Sequence, residues 1–413
     1  MRQQVVHCVP AVAVAVAIVL CGAVLAADNT VLARPLEASS AVAAGPSHCS
    51  TVAAPGLVYA LGGSVYRVDP DGRNRCRLTS SIKAKEPHLS PGGKRVAFLS
   101  GTGSDGYGAG AVNSVRLFRV GGPPSAGTVV RVGRGVHRWL AWSPNGQMLA
   151  FVGESGVWVW RVACGCVRLV APETAAEASE TGIVWSPNSQ RLAAAFVPLT
   201  SAVVPPWDHL RVTIVDAATG LRHAVVIRFP AWLRGRSSLE ESYPSSVIAW
   251  LPNGQLLLGA SGIGVGLRLT SIWAASPAGG TARMIVGTPK SPRRVLKFPL
   301  LNATTALVSP DGTMLLLNPG NRFWIASSSG HAGRLLALGI RGSCALAQAA
   351  WVGNNRLAYV TVCTLAGKAI ILARLYVLPL SGGEPMLLAA VRSPQQDQLS
   401  IAPPLGCIAC GGG

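Results

Sequence analysis

Ala141–Val152, AWSPNGQMLAFV, is an apolar strand ending in Trp142, a Ser-Pro-Asn-Gly turn and a second apolar strand. Proline presets the backbone for a turn, and Asn-Gly accepts positive φ at low steric cost. The unit returns as HLSPGGKRVAFL around Leu89, VWSPNSQRLAAA around Trp185, AWLPNGQLLLGA around Trp250, LVSPDGTMLLLN around Val308 and, one residue shorter, AWVGNNRLAYV around Trp351. The anchors are 53, 43, 65, 58 and 43 residues apart. Self-similarity at such a period marks a propeller or another repeat array. Trp142, Trp185, Trp250 and Trp351 share one repeat position, which assigns them to packing between repeats rather than to a ligand cage.

The chain has 413 residues, enough for a large core, with 47 Gly, 29 Pro and many β-branched runs. That balance favours an all-β fold with tight turns. The formal charge is +19, yet only 13% of residues are charged. The few charges are mostly basic, which favours an anionic partner and equally suits plain solubility.

A propeller blade is a four-stranded antiparallel sheet, its strands lettered a to d from the inside outward. The repeated unit supplies a, the turn and b. A c–d hairpin should follow, and seven are present, starting at Val65, Val115, Val157, Val212, Ser271, Phe323 and Leu375. Seven hairpins but six a–b units leave blade 1 short of its inner strand. Gly56–Leu61 (GLVYAL) reads as strand b of that blade. Gln398–Pro403 (QLSIAP) supplies strand a from the far end, or Cys49–Pro55 supplies it locally. Closure from the far end removes free sheet edges. The expected fold is thus all-β, a seven-bladed β-propeller of four-stranded antiparallel blades, with six as the alternative count.

These turns resemble those of the TolB-type (WD-repeat-like) propeller, whose blades repeat Trp-Ser-Pro-Asp-Gly-Lys before an Ile-Ala-Phe strand. The resemblance covers about Gly56 to Pro403. The turn Asp appears here as Asp311 and as Asn or Gly elsewhere. The resemblance implies the fold and a range of roles: binding proteins, lids of peptidases and isolated exported proteins. TolB carries a further N-terminal α/β domain, for which Asp28–Gly56 is too short.

Met1–Ala27 carries Arg2, an apolar run from Val9 and a small-residue site at Val24-Leu25-Ala26. This is the layout of an export signal, or of a retained membrane anchor helix. A lipoprotein reading at Cys21 is disfavoured by the bulky Leu20 before it. Residues 28–55 read as a linker, 56–403 as the propeller and 404–413 as a Cys/Gly-rich tail. Eight of the ten cysteines lie beyond residue 27: Cys49, Cys76, Cys164, Cys166, Cys344, Cys363, Cys407 and Cys410. In an oxidising compartment these are disulfide candidates. Zinc at Cys407 and Cys410 lacks suitably spaced partners, and no metal is expected.

The a–b and c–d turns are nearly all tight and fall on one face. The b–c and d–a connections carry the insertions and fall on the other, where a scaffold usually presents function. There Arg228, Trp232, Arg234 and Arg236 precede blade 5, and Lys290, Arg293, Arg294 and Lys297 precede blade 6. Basic residues among aromatics suit an anionic partner. The chain holds no Gly-x-Ser-x-Gly elbow, no His-Glu-x-x-His and no phosphate loop. Gly262–Gly266 and Asp69–Gly72 read as turns rather than as a dinucleotide or calcium loop. Asp208-His209 is an isolated polar pair.

The expected function is an exported, extracytoplasmic (periplasmic, secreted or cell-surface) module that binds a protein or an anionic envelope ligand without catalysis. A propeller hydrolase or lyase with its site at the channel mouth is the alternative. Neither cofactor nor nucleic acid is expected, and the expected state is a monomer, free or tethered through its N-terminal segment.

Overall fold

The computed structural model describes residues 56–401 apart from 80–82, 103–111, 123–126, 131–137, 154, 173–178, 198–208, 231–241, 263–268, 288–305, 319–321, 331–332, 337, 339, 341–342, 365–370 and 394–398. The expectations for the N-terminal segment, the linker and the C-terminal tail lie outside these residues.

Seven sheets are described, and they form a seven-bladed propeller. Blade 3 shows the pattern: Arg138–Trp142, Met148–Gly153, Gly156–Arg161 and Cys166–Pro172 pair antiparallel in chain order from a to d. The inner strands of the other blades are Leu399–Ile401 in blade 1, Ala84–Leu89 in blade 2, Ser179–Trp185 in blade 4, Ser242–Trp250 in blade 5, Ala306–Val308 in blade 6 and Cys344–Val352 in blade 7. Each touches the next, and the last touches the first. Blade 1 takes its inner strand from the far end of the chain, as Leu399–Ile401 pairs antiparallel with Tyr59–Leu61. Gln348 Oε1 of blade 7 accepts the Ile401 N–H at 2.9 Å, and Ser400 Oγ accepts the Glu86 N–H of blade 2 at 3.4 Å. The closing strand is thereby tied to both neighbours.

Blade 4 departs from the four-stranded expectation. Gly280–Thr281, inside the c–d connection of blade 5, pairs parallel with Ile227–Arg228 on its outer edge. The Arg228 carbonyl then accepts the Ala282 N–H at 2.8 Å. Consecutive glycines let the connection follow its neighbour: Gly279 and Gly280 both have positive φ, and a Cβ on Gly279 would lie 3.1 Å from the Val226 carbonyl oxygen. An exposed edge is thus covered.

The repeated turn explains itself chemically. Ser90, Ser143, Ser186 and Ser309 each accept, on Oγ, the N–H five residues on, at 2.8–3.0 Å. Two residues after the serine, Asn145, Asn188 and Asp311 accept an N–H two residues further on, at 3.0–3.1 Å. These side-chain bonds close the turn within its own residues. Neighbouring turns also meet: Asn145 N–H donates to Ser189 Oγ at 3.0 Å, and Asp311 N–H to Asn354 Oδ1 at 3.1 Å.

Three of the four repeat tryptophans donate their indole N–H to the inner strand of the preceding blade. Trp142 reaches the His88 carbonyl at 3.1 Å, Trp185 reaches Ala141 at 2.9 Å and Trp351 reaches Leu307 at 3.4 Å. Trp250 donates instead to Gly254 in its own turn, while its ring packs against the core between blades 4 and 5.

Three expectations follow. Ile401→Ala should cost about 2–5 kcal/mol in chemical denaturation, whereas Val226→Ala on an outer strand should stay within about 0.5 kcal/mol. Trp185→Phe removes a buried bond between blades 3 and 4 and should cost at least about 1 kcal/mol more than Trp250→Phe. The Ser309 hydroxyl, then the N–H and hydroxyl of Thr313, hold the Asp311 carboxyl below its usual range. A lowered folded pKa stabilises above the unfolded value and is lost as pH falls through the folded one. Asp311→Asn, with the residue blades 3 and 4 already use, should keep the turn and flatten that acid limb in a stability–pH profile.

Candidate functional site

Blade 6 has short strands: Ala306–Val308, Met314–Leu317, Phe323–Ser327 and Gly333–Leu336, of 3, 4, 5 and 4 residues. Blade 7 has long ones: Cys344–Val352, Arg356–Thr364, Ile371–Pro379 and Met386–Ser393, of 9, 9, 9 and 8 residues. A short sheet cannot cover the whole face of a long one. Leu357, Tyr359 and Leu378 pack into the interface with blade 6. Thr361 and Arg374 are paired opposite each other towards the b–c end of the blade, Thr361 buried and Arg374 half-buried.

A cleft of about 320 Å³ results, lined by Leu338 and Ile340 from the chain leaving blade 6 and by Cys344, Tyr359, Thr361, Arg374, Tyr376, Glu384 and Pro385 of blade 7. Its size is that of a small-ligand site. Tyr359 and Tyr376 sit opposite each other across the b and c strands and stack with centroids 5.3 Å apart. Phe323 of blade 6 meets Tyr359 edge-on at 5.7 Å. The Tyr359 hydroxyl donates to the Leu338 carbonyl at 3.5 Å. Burial first, then the neighbouring Tyr376 and Glu384, push the Tyr359 phenol well above its ordinary range, so it stays a neutral donor.

The b–c end of blade 7 is pinned covalently. Cys344 and Cys363 are directly opposed on strands a and b and form a disulfide. Beside it, the Ser343 hydroxyl donates to the Thr364 carbonyl at 2.6 Å. On the blade 6 side, the Arg334 guanidinium donates to the Leu380 carbonyl. The Arg374 guanidinium is half-buried and has no hydrogen-bond or ion-pair partner among the described residues. Glu384 is exposed at the rim. The cleft thus offers the partly exposed ring of Tyr376, stacked on the buried Tyr359, and a planar cation without a described partner. Its described lining holds no histidine, and its one cysteine is tied up in the disulfide.

The expected basic cluster is described only at Arg228, whose side chain is exposed at the end of blade 4's outer strand. Trp232, Arg234, Arg236, Lys290, Arg293, Arg294 and Lys297 lie outside the described residues, as do Asp208, Cys49, Cys407 and Cys410. Of the remaining cysteine candidates, Cys164 pairs with Cys166, and Cys76 is also disulfide-bonded. Asp69–Gly72 is a turn, with Gly72 N–H donating to the Asp69 carbonyl at 2.9 Å and the Asp69 carboxylate held by Arg67 and Asn74. Sequence reasoning did not find the blade 6–7 cleft. Its trace in the sequence is the Tyr359 and Tyr376 pair at matching positions of two strands longer than their counterparts one blade earlier.

No family model and no curated protein matches this chain. Solved structures similar to it include TolB from Acinetobacter baumannii, at 12% identity and a TM-score of 0.43 over 75% of this chain and 67% of that one. They also include dipeptidyl peptidase 4 from Porphyromonas gingivalis, at 11% and 0.47 over 82% and 59%. A third is oligogalacturonate lyase from Vibrio parahaemolyticus, at 13% and 0.49 over 81% and 86%. This chain spans 59% of the length of that peptidase. At such identities the likeness is one of fold.

Proposed function

We propose that this protein is an extracytoplasmic binding module without catalysis, and that the blade 6–7 cleft takes a carboxylate carried on an apolar or aromatic body. The observation that carries the reading is Arg374, a half-buried guanidinium with no described partner, set beside stacked tyrosines. A planar guanidinium matches a carboxylate through two parallel hydrogen bonds. The Tyr376 ring suits the apolar part of such a ligand. A formal charge of +19 draws anions from a distance. The disulfides Cys164–Cys166 and Cys344–Cys363 support an oxidising compartment. Arg228, Trp232, Arg234, Arg236, Lys290, Arg293, Arg294 and Lys297 supply a second, looser contact for an acidic protein or envelope partner.

Titration calorimetry with 3-phenylpropionate and with a capped Glu-Phe peptide tests this, the two probes separating a small acid from an acidic side chain. Arg374→Gln should weaken whichever binds by at least about tenfold, or about 1.4 kcal/mol. Arg293→Glu with Arg294→Glu should leave these small probes unaffected. Equal affinity in Arg374→Gln removes the cleft from consideration, and turnover of a bound ester or glycan would favour the hydrolase or lyase reading.

A further inference from the structure

The two disulfides defined between described cysteines have opposite surroundings. Cys344–Cys363 joins cysteines 19 residues apart in sequence, and Cys363 is buried at 4% exposure. It lies at the open end of a paired a–b hairpin and spans a longer segment of chain. Cys164–Cys166 spans a separation of 2 in the c–d turn of blade 3. There the chain is already closed by backbone pairing, since Arg161 opposes Cys166 and Trp160 opposes Val167. The Val162 N–H also donates to the Gln147 carbonyl at 3.0 Å. A cross-link over so short a loop removes little freedom from the unfolded chain, and here it adds no constraint that the hairpin lacks.

Access is equally different. Cys164, Gly165 and Cys166 are all exposed. A Cβ placed on Gly165, whose φ is +67°, would meet nothing within 4 Å. An attacking thiolate therefore reaches this bond without any opening of the fold. The Cys166 N–H points at Cys164 Sγ at 3.3 Å, so a charge released on Cys164 finds a donor in place. A bond with little structural value, open to solvent and with a stabilised leaving sulfur, has the properties of an exchangeable disulfide rather than of a staple.

We infer that Cys164-Gly165-Cys166 is a thiol–disulfide exchange site that oxidises a partner dithiol, the partner class being an exposed pair of peptide cysteines. The partner's thiolate attacks Cys166 Sγ, the Cys164–Cys166 bond breaks, and Cys164 leaves as a thiolate that takes a proton from solvent. The partner's second thiol loses its proton and attacks the partner sulfur of the mixed disulfide. Cys166 is released and protonated. Two electrons and two protons pass from partner to protein, and the partner keeps the new disulfide. This inference is independent of the blade 6–7 cleft.

The full-length oxidised protein is equilibrated in buffers of graded glutathione ratio, alkylated, and mapped by peptide mass spectrometry without denaturant. Cys164 and Cys166 should become alkylated at a reduced-to-oxidised ratio at least about tenfold milder than Cys344 and Cys363. The native fold, read by near-UV circular dichroism, should be retained at that point. One equivalent of oxidised protein should also convert a reduced peptide bearing two cysteines to its disulfide. Cys164→Ser with Cys166→Ser should abolish this conversion and leave the unfolding midpoint unchanged. Reduction of both disulfides together, reduction only with loss of the native spectrum, peptide oxidation that persists in the double variant, or a lowered midpoint in that variant would each overturn the inference.

Discussion

The structure depends on mutual burial of blade faces, and this demand is met only when the ring closes. Every described blade is apolar on both sides, so a row of blades would leave two faces in water. Seven apolar clusters occur among the described residues, and each joins one adjacent pair of blades. The cluster between blades 7 and 1 holds Tyr59, Leu375, Leu399 and Ile401. It exists because the two ends of the propeller segment share one sheet. A strand of three residues is therefore the most consequential element per residue in the described chain, and its ties to Gln348 and Glu86 fit that burden.

Two-sided burial also explains why the b strands read as unbroken apolar runs. In blade 4, Leu192 and Ala194 face blade 3, while Ala193 and Ala195 face blade 5. Both sets are fully buried. A strand with one wet face would alternate, and this one cannot. Small side chains mark where sheets approach closely. Gly182 on the inner strand of blade 4 shows the limit, for a Cβ there would sit 2.4 Å from the Val247 carbonyl oxygen of blade 5.

These rules are local, which is why so much of the fold was legible in the sequence. The Ser-Pro-Asn-Gly turn is stabilised by its own side chains, so it looks alike wherever it occurs. Three of the four repeat tryptophans find the same carbonyl on the preceding blade, and Trp250 bonds within its own turn. The missing inner strand of blade 1 followed from counting hairpins. What stayed hidden depends on differences between neighbours. The fifth strand on blade 4 comes from a detour at Gly279 and Gly280 that no periodicity marks. The cleft comes from the length of blade 7 relative to blade 6, a property of neither sequence alone. The expected basic surface was read from composition, and of its members only Arg228 belongs to a described strand.

Departures from the repeat are where this molecule has chemistry to spare. A perfect repeat spends its polar groups on its own turns and its apolar groups on its neighbours. Consistency of this kind leaves little for a ligand. Blade 7 breaks it with strands longer than those of blade 6, and Arg374 shares a cleft there with two tyrosines. The Cys344–Cys363 bond cross-links strands a and b at that same end of the blade. Blade 3 breaks it by placing two cysteines in a turn that needs no cross-link. Both irregularities sit on a ring whose closure is made elsewhere, by Leu399–Ile401 against blade 1, and that separation is what leaves them open to another use.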